Sequence, residues 1–447
     1  MSRLFGTDGV RGTAGQYPLD AETVARLGAA LVRALPRGDH DGRQLRLIVG
    51  RDTRESGESL ERALARGIRS QGATLVSGGV LPTPAIAYVT RGHFDAGLVI
   101  SASHNPYQDN GIKVFSGAGE KFGEGLEAEI ERIVADTSWT LTDGADSPVE
   151  RVDFVDEYIA HAREALPDPG RLGSMIIALD LANGATTTVA PRLFGALGFG
   201  TTVIGNAPDG RNINLECGST HPDRLVDLVR KGGHRLGVAF DGDGDRAIFV
   251  SADGRIVDGD AVLHMCAKQM KRTSTLAGDT IVATVMSNIG LEIALRDQGI
   301  TLVRCAVGDK YVMEEMVKRG LRLGGEQSGH VIFSDHLFTG DGIVTALRVL
   351  RVMAETGREL ADLAAELKTY PQVLVNVRVR EKRELQGVPA IADAMQKVED
   401  RLAGQGRLLV RYSGTEPLLR IMIEGRDQSE IQSWASELAG MVKAHLG

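Results

Sequence analysis

An uninterrupted apolar run that stops at a polar loop constrains the fold of this chain more than any other feature. Residues 98–100 (LVI) are followed directly by residues 101–106 (SASHNP). Apolar residues without alternation are typical of a parallel strand covered on both faces, and ligands of open α/β sheets gather beyond the carboxyl ends of such strands. The pattern therefore predicts that Ser103 lies on a loop at a ligand site. A surface turn rich in Ser and Asn is the alternative interpretation of this stretch alone.

The signal of an apolar strand, a polar turn and a helix recurs along the chain, at 45–70, 175–197 and 280–298. Between the first two of these, further strands and helices alternate up to the Ser103 loop, which favours a parallel sheet with helices on both faces. A chain of 447 residues is too long for one core. The spacing predicts a triplicated α/β unit, with linkers at 137–150 and near Thr369 and an antiparallel strand at 372–379.

Composition excludes several classes of protein. The net charge is -8 and aromatic residues make up only 4% of the chain, unlike proteins that stack single-stranded nucleic acid on a basic surface. The three cysteines, Cys217, Cys266 and Cys305, lack a Cys-x-x-Cys spacing, so neither a disulfide framework nor a zinc knuckle is indicated. No apolar run reaches the ~20 residues needed to cross a bilayer. We therefore expect a cytoplasmic protein with no nucleic-acid or membrane partner.

Three carboxylates follow another apolar strand, at 236–240. Asp241, Asp243 and Asp245 are separated by single glycines. Each like-charge pair at about 4 Å costs about 4 kcal/mol at an effective dielectric of ~20, so their convergence predicts a divalent ion, and all-oxygen ligands suit Mg²⁺. An EF-hand loop beginning at Asp241 fails, because its sixth residue is Arg246 and its twelfth is Ala252. A solvated loop rich in Asp and Gly remains the alternative.

Three further glycine-rich loops carry candidate binding groups. Residues 5–12 present Arg11, and residues 325–330 present hydroxyl-binding groups on Glu326, Ser328 and His330. Residues 411–420 combine Arg411, two hydroxyl groups and backbone N–H groups in a turn that suits a phosphate dianion. Ordinary glycine-rich turns or a hairpin are the alternatives for each loop. Taken together, the loops indicate phosphoryl transfer on a phosphorylated, hydroxyl-rich small molecule.

These motifs together resemble the α-D-phosphohexomutase superfamily. The stretches FGTDGVRG at 5–12, SASHNP at 101–106, GEQSGH at 325–330 and SGTEP at 413–417 are most similar to its bacterial amino-sugar-phosphate branch, and they occur in the family's order. The resemblance implies an α/β fold of four domains, three related mixed-sheet units and a smaller C-terminal α+β domain around a central cleft. The expected domains are 1–149 with the serine loop (101–106), 150–251 with the aspartate loop, or metal loop (241–245), 252–369 with the sugar loop (325–330) and 370–447 with the phosphate loop (411–420).

The resemblance also implies roles for individual residues. Ser103 would carry the phosphoryl group and, with the three aspartates, hold one Mg²⁺. Glu326 and Ser328 would contact sugar hydroxyls, and the non-reacting phosphate would be bound by Arg411, Ser413, Gly414, Thr415 and Arg420. Cations that could offset transition-state charge are Arg11, Lys113 and Arg246. His104, Lys113 and His330 are candidate proton carriers that the sequence does not rank.

The activity implied is interconversion of glucosamine 6-phosphate and glucosamine 1-phosphate, for cell-wall precursor synthesis, with a hexose bisphosphate as intermediate and activator. A homodimer is compatible with this expectation. A glucose or mannose phosphate mutase with the same mechanism is the alternative within the family. A serine-nucleophile metal phosphatase is less favoured, because the ten histidines form no His-x-His or His-x-x-x-His cluster. A sugar-phosphate sensor would not need both Ser103 and the complete aspartate set.

Overall fold

The computed structural model describes residues 4–6, 8–35, 43–141, 148–413 and 417–447 of the chain. It divides into two compact units. The first comprises the chain up to Met286 together with Ile300–Ala365, and the second comprises Ser287–Gly299 and Glu366–Gly447. Three sheets lie in the first unit and one lies in the second.

The first sheet has seven strands and carries the serine loop. Its strands lie in the order β1-β2-β6-β5-β3-β4-β7. They are β1 Phe5–Gly6, β2 Gly9–Thr13, β3 Arg46–Arg51, β4 Thr74–Val80, β5 Ala96–Ile100, β6 Asp109–Ser116 and β7 Glu150–Arg151, with helices α1 Ala21–Ala34, α2 Gly57–Ser70, α3 Thr83–His93 and α4 Glu124–Ala135. The central strands β3, β4 and β5 are parallel, as predicted, whereas β2 and β6 add an antiparallel edge.

Helix α1 illustrates why the local prediction of this unit succeeds. Asp20 caps the helix and accepts hydrogen bonds from the backbone N–H groups of Glu22 and Thr23 at 3.2 and 2.9 Å. The sequence places apolar residues, among them Leu27 and Leu31, at helical spacing, and this stripe is buried in the hydrophobic core of the first sheet. In the described part of the chain, no helix is long and apolar enough to cross a membrane.

The second sheet has five strands and carries the aspartate loop. Its order is β12-β11-β10-β8-β9, with β8, β9 and β10 parallel and β11 and β12 antiparallel. The strands are β8 Ile176–Asp180, β9 Gly200–Ile204, β10 Leu236–Phe240, β11 Ala247–Ser251 and β12 Ile256–Val257, and the helices are α5 Val155–Arg163, α6 Ala190–Ala196 and α7 Asp223–Lys231, with 3-10 turns at Pro169–Leu172 and Ala185–Thr188.

The third sheet has four strands in the order β14-β13-β15-β16 and carries the sugar loop. Its segment contains β13 Thr280–Thr284, β14 Thr301–Cys305, β15 Leu323–Gly325 and β16 Val331–Phe333, with helices α8 Gly259–Arg272, α9 Ile289–Asp297, α10 Asp309–Arg319, α11 Gly342–Thr356 and α12 Leu360–Ala364 and a 3-10 turn at Ala277–Asp279. The predicted strand–turn–helix pattern recurs here, but α9 belongs to the second compact unit. The backbone N–H of Ile289 donates to Glu424 at 3.2 Å within that unit.

The C-terminal sheet has three antiparallel strands in the order β17-β19-β18. They are β17 Gln372–Arg378, β18 Arg407–Tyr412 and β19 Leu418–Glu424, accompanied by a 3-10 turn at Leu385–Gly387 and helices α13 Pro389–Leu402 and α14 Gln428–Leu446. The inward-facing residues of these strands and the two helices form a separate hydrophobic core. The alternation predicted at 372–379 is confirmed as an antiparallel strand.

A cluster of aromatic side chains joins α3, α5 and the segment after β16. The His161 ring stacks on Tyr88 with centroids 4.0 Å apart, and the His336 ring lies 5.3 Å from that of His161. Burial, together with the charge of Arg348, lowers the pKa of His336 to about 4, and burial also lowers the pKa of His161. Both rings are therefore neutral in the folded protein at neutral pH.

We expect the protein to lose stability as the pH falls from about 6.5 toward about 4. In this range the unfolded chain binds a proton on His336 and the folded chain does not, so the free energy of unfolding falls as the pH falls, by about 2–3 kcal/mol for this residue. Urea denaturation across the range should show a smaller acid loss in His336→Gln than in the wild type. His93→Gln, which changes a half-exposed histidine, should behave as the wild type. Equal acid loss in His336→Gln would contradict the expectation.

Candidate active site

Strand β5 carries the predicted serine loop at its carboxyl end. All five of its residues are buried, as the uninterrupted apolar run predicts. Ser103 adopts a left-handed backbone conformation with φ 53°, which costs an L-residue about 1–2 kcal/mol. Its side chain is buried, and its Oγ donates a 2.6 Å hydrogen bond to Asp241 Oδ2. The serine loop and the aspartate loop are thus in direct contact.

The three predicted carboxylates converge after strand β10. One oxygen from each of Asp241, Asp243 and Asp245 lies within 4.8 Å of the others, and all three residues are buried. Burial, with the charges of Asp245 and Asp243, raises the pKa of Asp241 well above its usual value. The carboxylates therefore repel one another in this arrangement, as the sequence pattern predicts.

The donor atoms of this loop fit a divalent cation. Asp243 Oδ1 and Asp245 Oδ1 are buried and have no hydrogen-bond partner among the described residues. A buried carboxylate oxygen without a donor is costly, and a bound cation is the usual compensation. All candidate ligands here are oxygens, which are the ligands that Mg²⁺ prefers.

Lys113 places an ammonium group among three carboxylates. Its Nζ lies 2.8 Å from Asp243 Oδ2, 3.1 Å from Asp245 Oδ2 and 3.0 Å from Asp8 Oδ2. Burial alone would lower the pKa of Lys113, but Asp243 and Asp245 raise it well above its usual value. Conversely, burial alone would raise the pKa of Asp245, but Lys113 helps to lower it well below its usual value. Lys113 therefore stays charged at neutral pH.

The position of Lys113 in its strand corrects the sequence prediction. The pattern at residues 109–111 (DNG) predicts a turn, with Lys113 near the start of the strand that follows. Strand β6 instead begins at Asp109, and its first residues pair with β2 in the register Thr13↔Asp109 and Arg11↔Gly111. Lys113 consequently lies in the middle of β6, because pairing with β2 overrides the local turn preference.

Lys113 is one member of a charge ring, a closed set of contacts in which basic side chains (two lysines and a histidine) alternate with three aspartates. The contacts around the ring join, in order, Lys113, Asp8, Lys121, Asp309, His330 and Asp245. Lys121 Nζ lies 2.6 Å from Asp8 Oδ1 and also binds Asp309. The two ring nitrogens of His330 lie 3.6 Å from carboxylate oxygens of Asp309 and Asp245. The ring connects the aspartate loop to loops that begin far away in the sequence.

The orientation of His330 is held by the backbone of Gly340. The Gly340 N–H donates to His330 Nε2 at 3.0 Å, so this nitrogen carries a lone pair and the Nδ1–H faces Asp245. A side chain at Gly340 would place its Cβ 2.4 Å from the imidazole ring, so this position needs glycine. The structure thus brings His330 to the predicted site in a defined tautomer.

A cavity of about 380 Å³ opens beside these loops. Charged groups of both signs line it, among them Asp8, Arg11, His104, Asp245, Arg246, Asp309, Glu326 and His330. Its volume lies in the range of about 300–1,000 Å³ that small-molecule sites occupy. Burial, with the charge of Arg246, lowers the pKa of His104 to about 4, so the ring is neutral at neutral pH. His104 Nδ1 lies 3.3 Å from Ser103 Oγ.

The sugar loop between β15 and β16 contributes Glu326 to the cavity. Its Oε1 accepts a 3.1 Å hydrogen bond from the Gly308 N–H, and its Oε2 lies 3.4 Å from Ser328 Oγ, which donates to it. Gln327 instead donates to Asp258 Oδ2 at 3.0 Å, at the start of helix α8. Glu326 is therefore held in place from two sides, and Gln327 is engaged in packing the loop onto α8.

The predicted phosphate loop lies in the second compact unit. Arg411 on β18 and Arg420 on β19 are direct cross-strand partners, so both side chains stand on one face of the sheet. Ser413 is buried, its N–H donates to Leu418 O at 2.8 Å, and its carbonyl accepts from Lys382 Nζ at 2.6 Å. Gly414 and Thr415, which complete the prediction, lie outside the described residues.

Family models match the chain in four consecutive segments. The phosphoglucomutase/phosphomannomutase α/β/α domains I, II and III match residues 2–140, 156–254 and 258–370, and the C-terminal domain of the same family matches residues 374–441. The chain belongs to the phosphoglucomutase/phosphomannomutase family. Membership confirms the predicted fold class, with three mixed α/β units and a small C-terminal domain.

Similar proteins agree with this assignment along the whole chain. The phosphoglucosamine mutase of Syntrophotalea carbinolica is 47% identical over 450 residues, covering 100% of this chain and 98% of that protein. That of Desulforamulus reducens is 48% identical over 447 residues, covering 99% of both. A phosphoglucomutase/phosphomannomutase family protein from Burkholderia thailandensis shares the fold, with a TM-score of 0.80 at 24% identity over 99% of this chain and 98% of that one. The predicted class of enzyme, an isomerase of the phosphohexomutase type, is confirmed.

Several residues around Ser103 and the charged cavity have no role predicted from the sequence. Asp8, Lys121 and Asp309 belong to the charge ring, although Lys121 and Asp309 are 188 positions apart. Arg54 and Asn214 both donate to the carbonyl of Ser103, at 3.0 and 2.9 Å. Asp8 lies within the glycine-rich stretch 5–12, and Asn214 lies in a stretch dense in Gly and Asn at residues 210–214 (GRNIN), but both stretches are equally typical of surface turns.

Proposed function

We propose that this chain interconverts glucosamine 6-phosphate and glucosamine 1-phosphate through a phosphorylated Ser103. One observation carries the proposal: Ser103 Oγ lies 2.6 Å from Asp241, in a buried set of three carboxylates beside a charged cavity. A nucleophilic oxygen next to oxygen ligands for a divalent cation is the arrangement that phosphoryl transfer needs. Relatives named phosphoglucosamine mutase that match along the whole chain, among them those of Syntrophotalea carbinolica and Desulforamulus reducens, support glucosamine phosphate as the substrate.

The proposed reaction transfers a phosphoryl group twice. In the first half, a sugar hydroxyl attacks phosphorus, the bond between phosphorus and Ser103 Oγ breaks, and the proton of the hydroxyl is passed through the site to Ser103 Oγ, which produces a hexose bisphosphate and free Ser103. The bisphosphate then turns over, and its other phosphate returns to Ser103. Arg11, Arg246 and Lys113 stand where positive charge would offset the charge of the transition state. A hexose bisphosphate supplied from outside would phosphorylate Ser103 and so act as activator.

The residues proposed to hold Mg²⁺ are Ser103, in its phosphorylated form, and the three aspartates of the metal loop. The orphaned oxygens of Asp243 and Asp245 support this assignment. The ion would supply a Lewis acid at the transferring phosphoryl group. Asp241 also has two hydrogen-bond partners in the protein. Its Oδ1 accepts from the backbone N–H of Arg246 at 3.2 Å, and its Oδ2 accepts from Ser103 Oγ.

We propose a different role for each of the three candidate proton carriers. His104 is neutral at neutral pH and its Nδ1 lies 3.3 Å from Ser103 Oγ, so we propose that it exchanges the proton at that oxygen. Lys113 is held charged by its carboxylate neighbours, which suits a donor of hydrogen bonds to the transferring group. His330 Nδ1–H faces Asp245, which suits the positioning of that carboxylate.

Substrate binding is proposed to use the sugar loop and the phosphate loop. Glu326 would bind sugar hydroxyls, supported by Ser328. The non-reacting phosphate would be bound in the C-terminal domain by Arg411, Ser413, Gly414, Thr415 and Arg420. Because either phosphate of a bisphosphate can occupy one such loop, a single phosphate site would serve both halves of the reaction.

The four-domain division expected from the sequence stays part of the proposal. We place its boundaries after Val149, after Val257 and after Thr369. The second boundary lies beyond the sequence-based position at 251, because Ile256–Val257 pairs with β11 of the second sheet. A cytoplasmic location, supported by the free cysteines, and a homodimer also remain proposals.

A side-by-side assay of glucosamine, glucose and mannose 1-phosphates tests the function. At equal hexose bisphosphate concentration, we expect kcat/KM to be highest for glucosamine 1-phosphate by about tenfold or more, because a lost charge or hydrogen-bond contact at C2 supplies ratios of this size. Product formation should be measured together with release of inorganic phosphate.

Two results would redirect the proposal. Equal or better efficiency with glucose or mannose 1-phosphate would assign the chain another sugar within the same family. Stoichiometric release of inorganic phosphate would indicate a phosphatase, since a mutase conserves the organic phosphate. Omission of Mg²⁺ serves as the control, because the proposed reaction depends on the aspartate set.

A further inference from the structure

Ser103 has a backbone conformation that serine seldom adopts, and both its N–H and its carbonyl are hydrogen-bonded. Its φ of 53° lies in the left-handed region. The Ser103 N–H donates to Ser101 Oγ at 2.9 Å, and its carbonyl accepts from Arg54 at 3.0 Å and from Asn214 at 2.9 Å. A strained backbone persists only where its surroundings determine it, so these three partners hold the residue that is proposed to react.

Arg54 directs its guanidinium group at Asp52, at the serine loop and at the first residue of β6. The side chain is fully buried, and Nε donates to Asp52 Oδ2 at 2.8 Å. Its terminal nitrogens donate to the carbonyls of Ser103, Asn105, Pro106 and Asp109. Asp52 in turn accepts a 2.6 Å hydrogen bond from Ser101 Oγ. The buried Arg54–Asp52 ion pair therefore holds the serine loop in two ways: Arg54 binds its backbone carbonyls, and Asp52 binds the Ser101 hydroxyl.

Asn214 reaches the same carbonyl from the second α/β segment. Its Nδ2 donates to Ser103 O at 2.9 Å and to Asn105 O at 3.2 Å, and its own backbone has a φ of 58°. Its N–H donates to Ala182 O at 2.9 Å, which ties it to the turn after β8. Asn214 therefore fixes the position of the serine loop relative to the segment that carries the aspartates.

The aspartate loop itself packs against this carbonyl. A Cβ on Gly242, which follows Asp241, would lie 2.5 Å from Ser103 O and 2.9 Å from Asn214 Nδ2. Residue 242 must therefore be glycine for the Ser103 carbonyl and the Asn214 side-chain amide to pack against the aspartate loop. A displacement of the Ser103 carbonyl would also move its Oγ relative to Asp241.

We propose that Arg54 and Asn214 are positioning residues for phosphoryl transfer at Ser103. They fix the carbonyl of a left-handed serine, and so they aim its Oγ at the aspartate set during both halves of the reaction. The inference rests on the proposed function, since it takes Ser103 as the group that carries the phosphoryl. The cavity is lined by other residues, so the two side chains act through Ser103 and the substrate does not contact them.

The substitution Asn214→Asp tests the inference with almost no change in shape. It replaces the N–H donor by a carboxylate oxygen that faces two carbonyl oxygens. We expect kcat to fall by about tenfold or more, while KM for the sugar phosphate and the Mg²⁺ concentration at half-maximal rate change by less than about twofold. Rapid mixing with hexose bisphosphate, followed by intact-mass measurement, should show slower phosphorylation of Ser103 by the same factor as kcat.

Asn212→Asp is the matched control, because it makes the same change in the same loop. The Asn212 side chain bonds to the backbone at Ala207 and Asp209 and not to the serine loop. Its rate of Ser103 phosphorylation should stay near that of the wild type. A normal rate in Asn214→Asp, or an equal loss in Asn212→Asp, overturns the inference.

A second variant decides the matter if Asn214→Asp does not fold. Asn214→Ala removes the donor without adding repulsion, and it too should slow phosphorylation of Ser103 at unchanged KM; a normal rate there also overturns the inference. The mass measurement separates this inference from the proposed function. Ser103 that is phosphorylated by hexose bisphosphate in a wild type with no glucosamine phosphate turnover would reject the proposed substrate alone, whereas absence of Ser103 phosphorylation would reject both.

Discussion

Replacing Ser103 by alanine is expected to lower mutase turnover by at least about a thousandfold, because removal of a nucleophile removes the covalent route itself. The fold should survive, since the change deletes only contacts of Oγ with Asp241 and His104, and one hydrogen bond contributes about 1 kcal/mol to stability. Steady-state rates with hexose bisphosphate present, together with intact mass before and after incubation, measure both consequences. The variant should gain no phosphoryl group.

The neighbouring serine provides the control. Ser101→Ala makes the same chemical change two positions earlier, where Oγ donates to Asp52 and accepts from the Ser103 N–H. This variant should still gain one phosphoryl group, with a turnover between those of the wild type and Ser103→Ala. Near-normal turnover in Ser103→Ala, or loss of phosphorylation in Ser101→Ala alone, would move the reacting oxygen away from Ser103.

The parts of the site that could be predicted have signals confined to short stretches. Strands Ala96–Ile100 and Leu236–Phe240 are buried on both faces, so every residue in them is apolar and the period of a half-exposed strand is missing. The aspartates follow such a strand at every second position, where mutual repulsion already implies a cation. At these positions the residue types that the local pattern shows are the ones that the folded environment needs: apolar residues in a buried strand, and carboxylates at a cation site.

Arg54 shows why the rest could not be predicted. In the sequence it lies inside a polar run, residues 51–56 (RDTRES), which is typical of a solvated turn. In the structure its side chain is fully buried, because its partners are Asp52 and four backbone carbonyls that become available only after the serine loop and the start of β6 have folded. Every residue has a backbone carbonyl, so the side chains around Ser103 do not indicate that these carbonyls bind an arginine.

The charge ring has a related cause. Lys121 joins Asp8 to Asp309, and each contact spans more than a hundred positions. Lysine and aspartate are common surface residues, so their pairing becomes visible only when the first and third sheets are placed together. The turn predicted at residues 109–111 fails for the same reason, since its residues pair with the distant strand β2.

The second large effect is expected from Lys113→Met, which removes the one ammonium group that contacts Asp8, Asp243 and Asp245 together. Removing one partner of a buried ion pair leaves uncompensated charge and costs about 3–5 kcal/mol. We therefore expect the free energy of unfolding of the first unit to fall by about this amount when Mg²⁺ is chelated. Urea denaturation with chelator and with saturating Mg²⁺ measures it.

The response to Mg²⁺ distinguishes the metal site from a general loss of packing. A cation bound by the aspartates supplies the positive charge that the Lys113→Met variant lacks, and ligand binding to the folded state adds about 2.7 kcal/mol at a hundredfold excess over Kd. Lys310→Met is the matched control: the Lys310 side chain is also buried, and its Nζ pairs with Glu127 at 2.7 Å. Both variants should be destabilised with chelator, but only Lys113→Met should recover more stability with Mg²⁺ than the wild type does. Equal gains in the two variants would mean that the carboxylates around Lys113 do not bind the ion.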